Sequence, residues 1–187
     1  MFKILIVIVV LGVGGWFGYQ NYGSMLGAEF GGDPNAGKNY VANIIKVNAS
    51  QVEYLITSGS RNQRPTLLFI FESGCLMCKW HYSDITHFAK QYTRNQLNVI
   101  ILSLDSDEMV LADFLAKDPP TVRPLFLKQG ERENLFSVLR KLGSDYDGGV
   151  PHISVINKAG HFDDIGIGWD RKNKINGFIL RSLDVKA

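Results

Sequence analysis

Cys75 and Cys78 are the only two cysteines in the 187-residue chain, and they stand three apart in the run Cys75-Leu76-Met77-Cys78. Two cysteines dropped at random into a chain of this length would show that spacing in roughly one case in a hundred. Two alone cannot build a multi-disulfide scaffold or a four-cysteine zinc site. As a static staple they would close a loop too small to stabilise much, because the entropic gain grows with loop length. Thiol–disulfide exchange is the chemistry that fits, with a redox-inert docking domain kept for its shape as an alternative. It needs a thiolate; an ordinary cysteine titrates near about 8.5, and a helix N-terminus or a nearby cation lowers that value. Lys79 supplies such a cation directly after the pair.

Histidines offer a second chemistry with the same sulfurs. His81 lies three residues after Cys78, and His152 follows Pro151. Cys75, Cys78, His81 and His152 would together make a metal donor set of the kind a copper chaperone uses. A packed or surface histidine is the plainer reading of either ring. Cys-x-x-Cys-Lys is not the Cys-x-x-Cys-His of covalent haem attachment. His87 and His161 are expected to be solvated. Trp80, Tyr82 and Trp169 could shape a groove, with packing as the default. Asp105, Asp107 and Glu108 read as the cap and first turn of a helix, not as a catalytic carboxylate pair.

Elements must hold these residues in place. Residues 43–47 (NIIKV) are a short strand candidate. Ser50-Gln51-Val52-Glu53 reads as a capping box for a helix that ends near Thr57, before Ser58-Gly59. Residues 66–71 (TLLFIF) are continuously apolar and too short for most helices, so they read as a strand buried on both faces. The turn Glu72-Ser73-Gly74 leads into Cys75. No Gly or Pro interrupts residues 75–94, where Cys78, Ile85, Phe88 and Tyr92 form an inward stripe. Residues 99–104 (VIILSL) are a second buried strand. Asp105-Ser106 caps a helix with Val110, Leu111, Phe114 and Leu115 inward, ending before Pro119-Pro120. Residues 123–127 suggest a short strand. Residues 131–142 form an amphipathic helix with Leu135, Val138, Leu139 and Leu142 on one face, stopped by Gly143. Residues 153–156 and 165–169 flank the turn 157–160 as a hairpin. A last helix spans about 171–183, with Ile175, Phe178 and Ile179 inward. The order β-α-β-α-β-α-β-α-β-β-α implies an α/β fold with a mixed central sheet covered by helices.

Residues 4–19 (ILIVIVVLGVGGWFGY) carry no charge, Lys3 precedes them, and no Lys or Arg follows until Lys38. That asymmetry keeps the N-terminus in the cytoplasm and sends the rest across the membrane. The run suits an uncleaved transmembrane anchor, which needs about 20 apolar residues with some help from its flanks, or a cleaved signal peptide. The expected organisation is an anchor or signal at 1–19, a Gly- and Asn-rich flexible linker at 20–39 and one domain at 40–187. The chain is 45% apolar and 20% charged with a net charge of +2, the balance of a globular protein rather than a nucleic-acid binder.

A buried strand turning into Cys-x-x-Cys at a helix start, followed much later by Val150-Pro151 before a hairpin, resembles the thioredoxin superfamily. The added segment between Pro119 and Gly149, together with the apolar N-terminus, resembles its TlpA/ResA-like group of membrane-tethered, extracytoplasmic thiol–disulfide oxidoreductases. The resemblance implies a cis bond before Pro151, with Val150 offering its backbone to a substrate chain and Leu76 and Met77 beside it. Cys75, at the helix end, would be the nucleophile, and Cys78, one turn inside, would resolve the mixed disulfide. No bound cofactor is implied, since the cysteine pair carries the electrons. Implied partners are protein thiols and disulfides in the periplasm and a membrane electron donor of the DsbD/CcdA kind. The implied location is the bacterial inner membrane, or the periplasm if the N-terminus is cleaved. Two departures stand out: Gly74 replaces the frequent aromatic residue before the first cysteine, and Phe69 replaces a buried acid on the central strand. Leu76-Met77 places no cation between the cysteines, which favours a reductant over a strong oxidant.

Overall fold

The computed structural model describes residues 44–165 and 170–183. The expected anchor and linker lie outside these, as do residues 166–169, which include Trp169. No described helix is long and apolar enough to cross a membrane.

Among the described residues six strands and five helices follow one another in the expected order: β1 (Ile45–Val47), α1 (Ala49–Arg61), β2 (Thr66–Phe71), α2 (Leu76–Gln91), β3 (Asn98–Ser103), α3 (Glu108–Lys117), β4 (Leu125–Leu127), α4 (Arg132–Lys141), β5 (His152–Ile156), β6 (Phe162–Asp164) and α5 (Arg171–Ser182). The sheet order is β1-β4-β3-β2-β5-β6. β1, β4, β3 and β2 run parallel, whereas β5 is antiparallel to β2 and β6 to β5. The uninterrupted apolar run of β2 is explained by this position. All six of its residues are buried, with β3 on one edge and β5 on the other.

Side chains alternate across β2, so its two faces serve different layers. Leu67, Phe69 and Phe71 join Cys78, Tyr82, Ile85 and Phe88 of α2, Leu111 and Leu115 of α3, and Ile175 and Ile179 of α5 in one core. Burying each such side chain contributes about 1.5–3 kcal/mol before the entropy of ordering is charged against it. On the opposite side α1 packs against α4 and β2. Tyr82, a groove candidate by sequence, is instead fully buried, with its ring 5.8 Å from Phe71 and 4.9 Å from Phe114.

Several boundaries differ from the sequence expectation, each for a local reason. The capping box of α1 is built by Asn48 and Gln51, two residues earlier than Ser50 and Glu53: Asn48 Oδ1 accepts from Gln51 N–H, and Gln51 Oε1 accepts from Asn48 N–H, both at 2.9 Å. The helix runs through Ser58-Gly59 to Arg61 because Gly59 faces β2. A Cβ on Gly59 would sit 2.3 Å from Thr66 Oγ1, so this glycine allows close approach rather than ending the helix. In α3 the cap is Asp107, whose carboxylate accepts from Met109 N–H at 2.8 Å, and Val110 is exposed rather than inward. Among the described residues the second hairpin strand is Phe162–Asp164, because Asn157 caps the turn and pairing with β5 starts at once, Phe162 against Ile156; of the expected 165–169, residues 166–169 lie outside the described residues.

Candidate active site: a disulfide between two anchored loops

β2 ends at Phe71, and after three intervening residues the chain enters α2 with Cys75 as its N-cap. Cys75 and Cys78 form a disulfide with Cα atoms 5.2 Å apart. The Cys78 N–H donates to Cys75 Sγ at 3.1 Å, so the sulfur takes one of the free amides that begin the helix. This is the place where a thiolate gains most from the helix dipole. Cys75 is partly exposed and Cys78 is fully buried. Only Cys75 can therefore meet a large substrate first. Beside it, Leu76 is 64% exposed and Trp80 57% exposed, an apolar rim on the first turns of α2. Met77 is half-buried and Lys79 exposed.

The opposite wall is the loop before β5. The Val150–Pro151 peptide bond is cis, and the Val150 carbonyl oxygen lies 3.9 Å from Cys75 Sγ. Cys75, Cys78, Val150 and Pro151 thus meet in one place, with Leu76 and Met77 on the facing helix.

Carboxylates hold both loops. On the cysteine side, buried Asp105 accepts from Ser73 N–H at 3.0 Å, from Ser73 Oγ–H at 2.8 Å and from Ser103 Oγ–H at 2.7 Å. Asp105 is therefore no helix cap: it ties the turn before Cys75 to the end of β3. Glu72, in the same turn, pairs with Arg132 at the start of α4, and Arg132 also donates to the Leu104 carbonyl. Cys75 N–H donates back to the Glu72 carbonyl at 3.1 Å. The helix between Pro119 and Gly149 thus reaches the cysteine turn through Arg132.

On the cis-proline side, Asp164 of β6 accepts from Ser144 Oγ–H at 3.0 Å, from the Asp145 N–H and from Ser154 Oγ–H. His152 Nε2 lies 2.8 Å from Ser154 Oγ and 3.3 Å from Asp164. Burial pushes the Asp164 carboxyl up, but hydrogen bonds from His152, Ser154 and the Asp145 amide outweigh it and bring the group down to about 2. Such a depressed acid adds stability that is complete above its unfolded value near 3.8 and is lost as pH falls through about 2. Wild-type protein is therefore expected to lose on the order of 2 kcal/mol between pH 4 and pH 2 that an Asp164→Asn variant does not lose, as read by urea unfolding at each pH.

The two histidines of the alternative metal set go different ways. His152 belongs to the Asp164 cluster. His81 is buried on α2 with Nδ1 3.9 Å from Asp84, and burial and then Arg171 push its pKa below the ordinary histidine value. Among the described residues no group of three or more His, Cys, Asp or Glu side chains is placed to hold a metal ion. His87 and His161 are exposed.

Phe69 belongs to the same core cluster as Cys78, its ring stacked 5.2 Å from Phe71. Glu72, the acid nearest Cys75 in sequence, is engaged by Arg132. Asp105, Arg132, Asp164 and buried Tyr146 are the site residues that sequence reading missed. The signal was slight: a polar Ser103 and Asp105 ending an apolar run, and an aspartate inside a hairpin.

Comparison with solved structures identifies the architecture. A thioredoxin-family thiol:disulfide interchange protein from Chlorobium tepidum superposes with a TM-score of 0.54 at 12% identity, covering 67% of this chain and 84% of its own. A thioredoxin-related protein from Neisseria meningitidis serogroup B gives 0.53 at 14% identity, with 64% and 85% covered. The thioredoxin domain of a thiol-disulfide oxidoreductase from Bacteroides vulgatus gives 0.50 at 17%, with 63% and 81% covered. The fold is that of thioredoxin. No family model matches the chain, and no curated protein does. At these identities the likeness concerns architecture. Within the thioredoxin fold, the cysteine pair at the start of α2 and the cis-proline loop against it come from this chain's own geometry.

Proposed function

We propose that this chain is an extracytoplasmic thiol–disulfide oxidoreductase that reduces disulfides in exported proteins. The observation that carries the reading is the partly exposed Cys75 at the α2 N-terminus, disulfide-bonded to a buried Cys78 and facing the Val150 carbonyl. In the reduced protein, Cys75 thiolate attacks one sulfur of a substrate disulfide. A Cys75–substrate bond forms, the substrate S–S bond breaks, and the other substrate sulfur leaves as a thiolate that takes up a proton. Cys78 then loses its proton and attacks Cys75 Sγ. The second substrate thiol leaves, and the Cys75–Cys78 disulfide remains. Two electrons have passed to the substrate, and a membrane dithiol donor of the DsbD/CcdA kind would restore them.

Leu76, Met77 and the Val150 backbone would border the bound substrate chain. A backbone edge beside the sulfur suits an extended segment, which gains main-chain hydrogen bonds there without a sequence requirement. The apolar N-terminus with its one-sided charge supports a domain held on the outer side of the inner membrane. A membrane-impermeant maleimide added to intact spheroplasts after mild reduction tests that placement. Labelling of Cys75 in intact spheroplasts is expected; labelling only after lysis would place the domain in the cytoplasm and overturn it.

A further inference from the structure

We infer that Asp164, acting through Ser144, Ser154 and His152, is the positioning residue that holds the Val150 backbone edge in shape for a substrate chain. The inference rests on the thiol–disulfide reading above and concerns substrate docking at that same site.

The grip spans both limbs of one loop. Ser144 and Asp145 precede Val150 by six and five residues, and His152 follows it by two. A single carboxylate on the neighbouring strand binds the first limb through Ser144 Oγ and Asp145 N. It binds the second through Ser154, which also contacts His152. Tyr146, 3% exposed, closes the loop from within, its ring 4.8 Å from His152 and 6.2 Å from Phe136 of α4. Between these anchors Asp147, Gly148 and Gly149 are exposed, Gly148 has φ +93, and Gly149 N–H donates to Asp147 Oδ1 at 2.9 Å, a local turn whose hydrogen bond does not involve the anchors. The shape of the edge at Val150 is thus set by the anchors. A preformed edge lowers the ordering cost of binding an extended chain. A small disulfide reagent that touches only the exposed sulfur gains nothing from it.

Asparagine at 164 replaces one acceptor oxygen with an NH₂ group facing donors from the Asp145 amide and the serine hydroxyls, so the shape is kept while the grip reverses on one side. The test compares wild type, Asp164→Asn and the milder Ser144→Ala, reduced with dithiothreitol, after each variant has shown a cooperative melt. One substrate is a fluorogenic peptide closed by an internal disulfide; the other is Ellman's reagent. Asp164→Asn is expected to raise KM for the peptide about tenfold with kcat within about twofold, and Ser144→Ala to fall between it and wild type. The rate with Ellman's reagent and the equilibrium with glutathione are expected to stay within about twofold of wild type, as they would not if the variant merely loosened the whole domain. Equal slowing of both substrates, or an unchanged peptide KM in both variants, would overturn the inference. A wild-type protein inert toward Ellman's reagent would instead sink the redox reading itself.

Discussion

Replacing Cys75 with Ser is expected to abolish disulfide exchange, whereas replacing Cys78 with Ser should trap the protein on its substrates. The asymmetry follows from burial. Cys75 is partly exposed at the N-terminus of α2, while Cys78 is 0% exposed and lies in the same core cluster as Phe69 and Tyr82. A buried thiol cannot begin the reaction, because an incoming disulfide cannot align with it. It can finish the reaction, because its target is the neighbouring Cys75 sulfur. Without Cys78 the mixed disulfide lacks its intramolecular resolving thiol, whose effective concentration far exceeds that of any thiol in solution. Cys75→Ser activity with a peptide disulfide should fall at least about a thousandfold. Intact-mass spectrometry of Cys78→Ser incubated with the oxidised peptide should show one covalent adduct that dithiothreitol removes. Adducts forming on Cys75→Ser instead would reverse the assigned roles.

The second large effect concerns a residue that does no chemistry. Asp105→Ala leaves the Ser73 amide, the Ser73 hydroxyl and the Ser103 hydroxyl without their shared acceptor. Hydrogen bonds to a charged group are worth about 1.5–3 kcal/mol each, and buried donors left bare add a desolvation penalty. These bonds share one carboxylate and are not additive, so a loss of roughly 3–5 kcal/mol in urea unfolding is expected. Asp105→Asn keeps one acceptor oxygen and should lose less. Because Ser73 lies two residues before Cys75, the loosened turn should also slow exchange with Ellman's reagent by about tenfold in the alanine variant. Unfolding midpoints equal to wild type would mean that Asp105 does not hold this turn.

The parts of the fold legible in the sequence were those decided locally. β2 and β3 announce themselves as continuous apolar runs because strands in the interior of a sheet covered by helices on both sides are buried on both faces. α2 is legible through its stripe of Cys78, Ile85 and Phe88 and through the absence of any breaker. The cysteine pair and Val150-Pro151 are legible as types at a spacing, and the structure brings them together. What escaped was decided by partners far along the chain. Asn48 and Ser50 both head a capping pattern, and the choice depends on where β1 ends after pairing with β4. Gly59 reads as a stop, but its lack of a side chain serves the contact with Thr66. Asp105 lies 32 residues from Ser73, and Asp164 lies 20 from Ser144. Each looks like an ordinary surface or turn acid until the sheet sets the two segments side by side. Phe69 was legible as a departure from the resemblance, and the structure buries it with its ring stacked on that of Phe71.

The most direct test of the central claim is the reduction potential of the Cys75–Cys78 pair, read from the thiol content of the domain equilibrated with graded dithiothreitol and glutathione buffers. A reversible two-electron couple near thioredoxin's, about −270 mV, is the result predicted for a reductant of exported disulfides. A couple near about −120 mV would make the protein a disulfide donor and reverse the proposed direction of electron flow, and a pair that never equilibrates with either buffer would contradict redox function altogether.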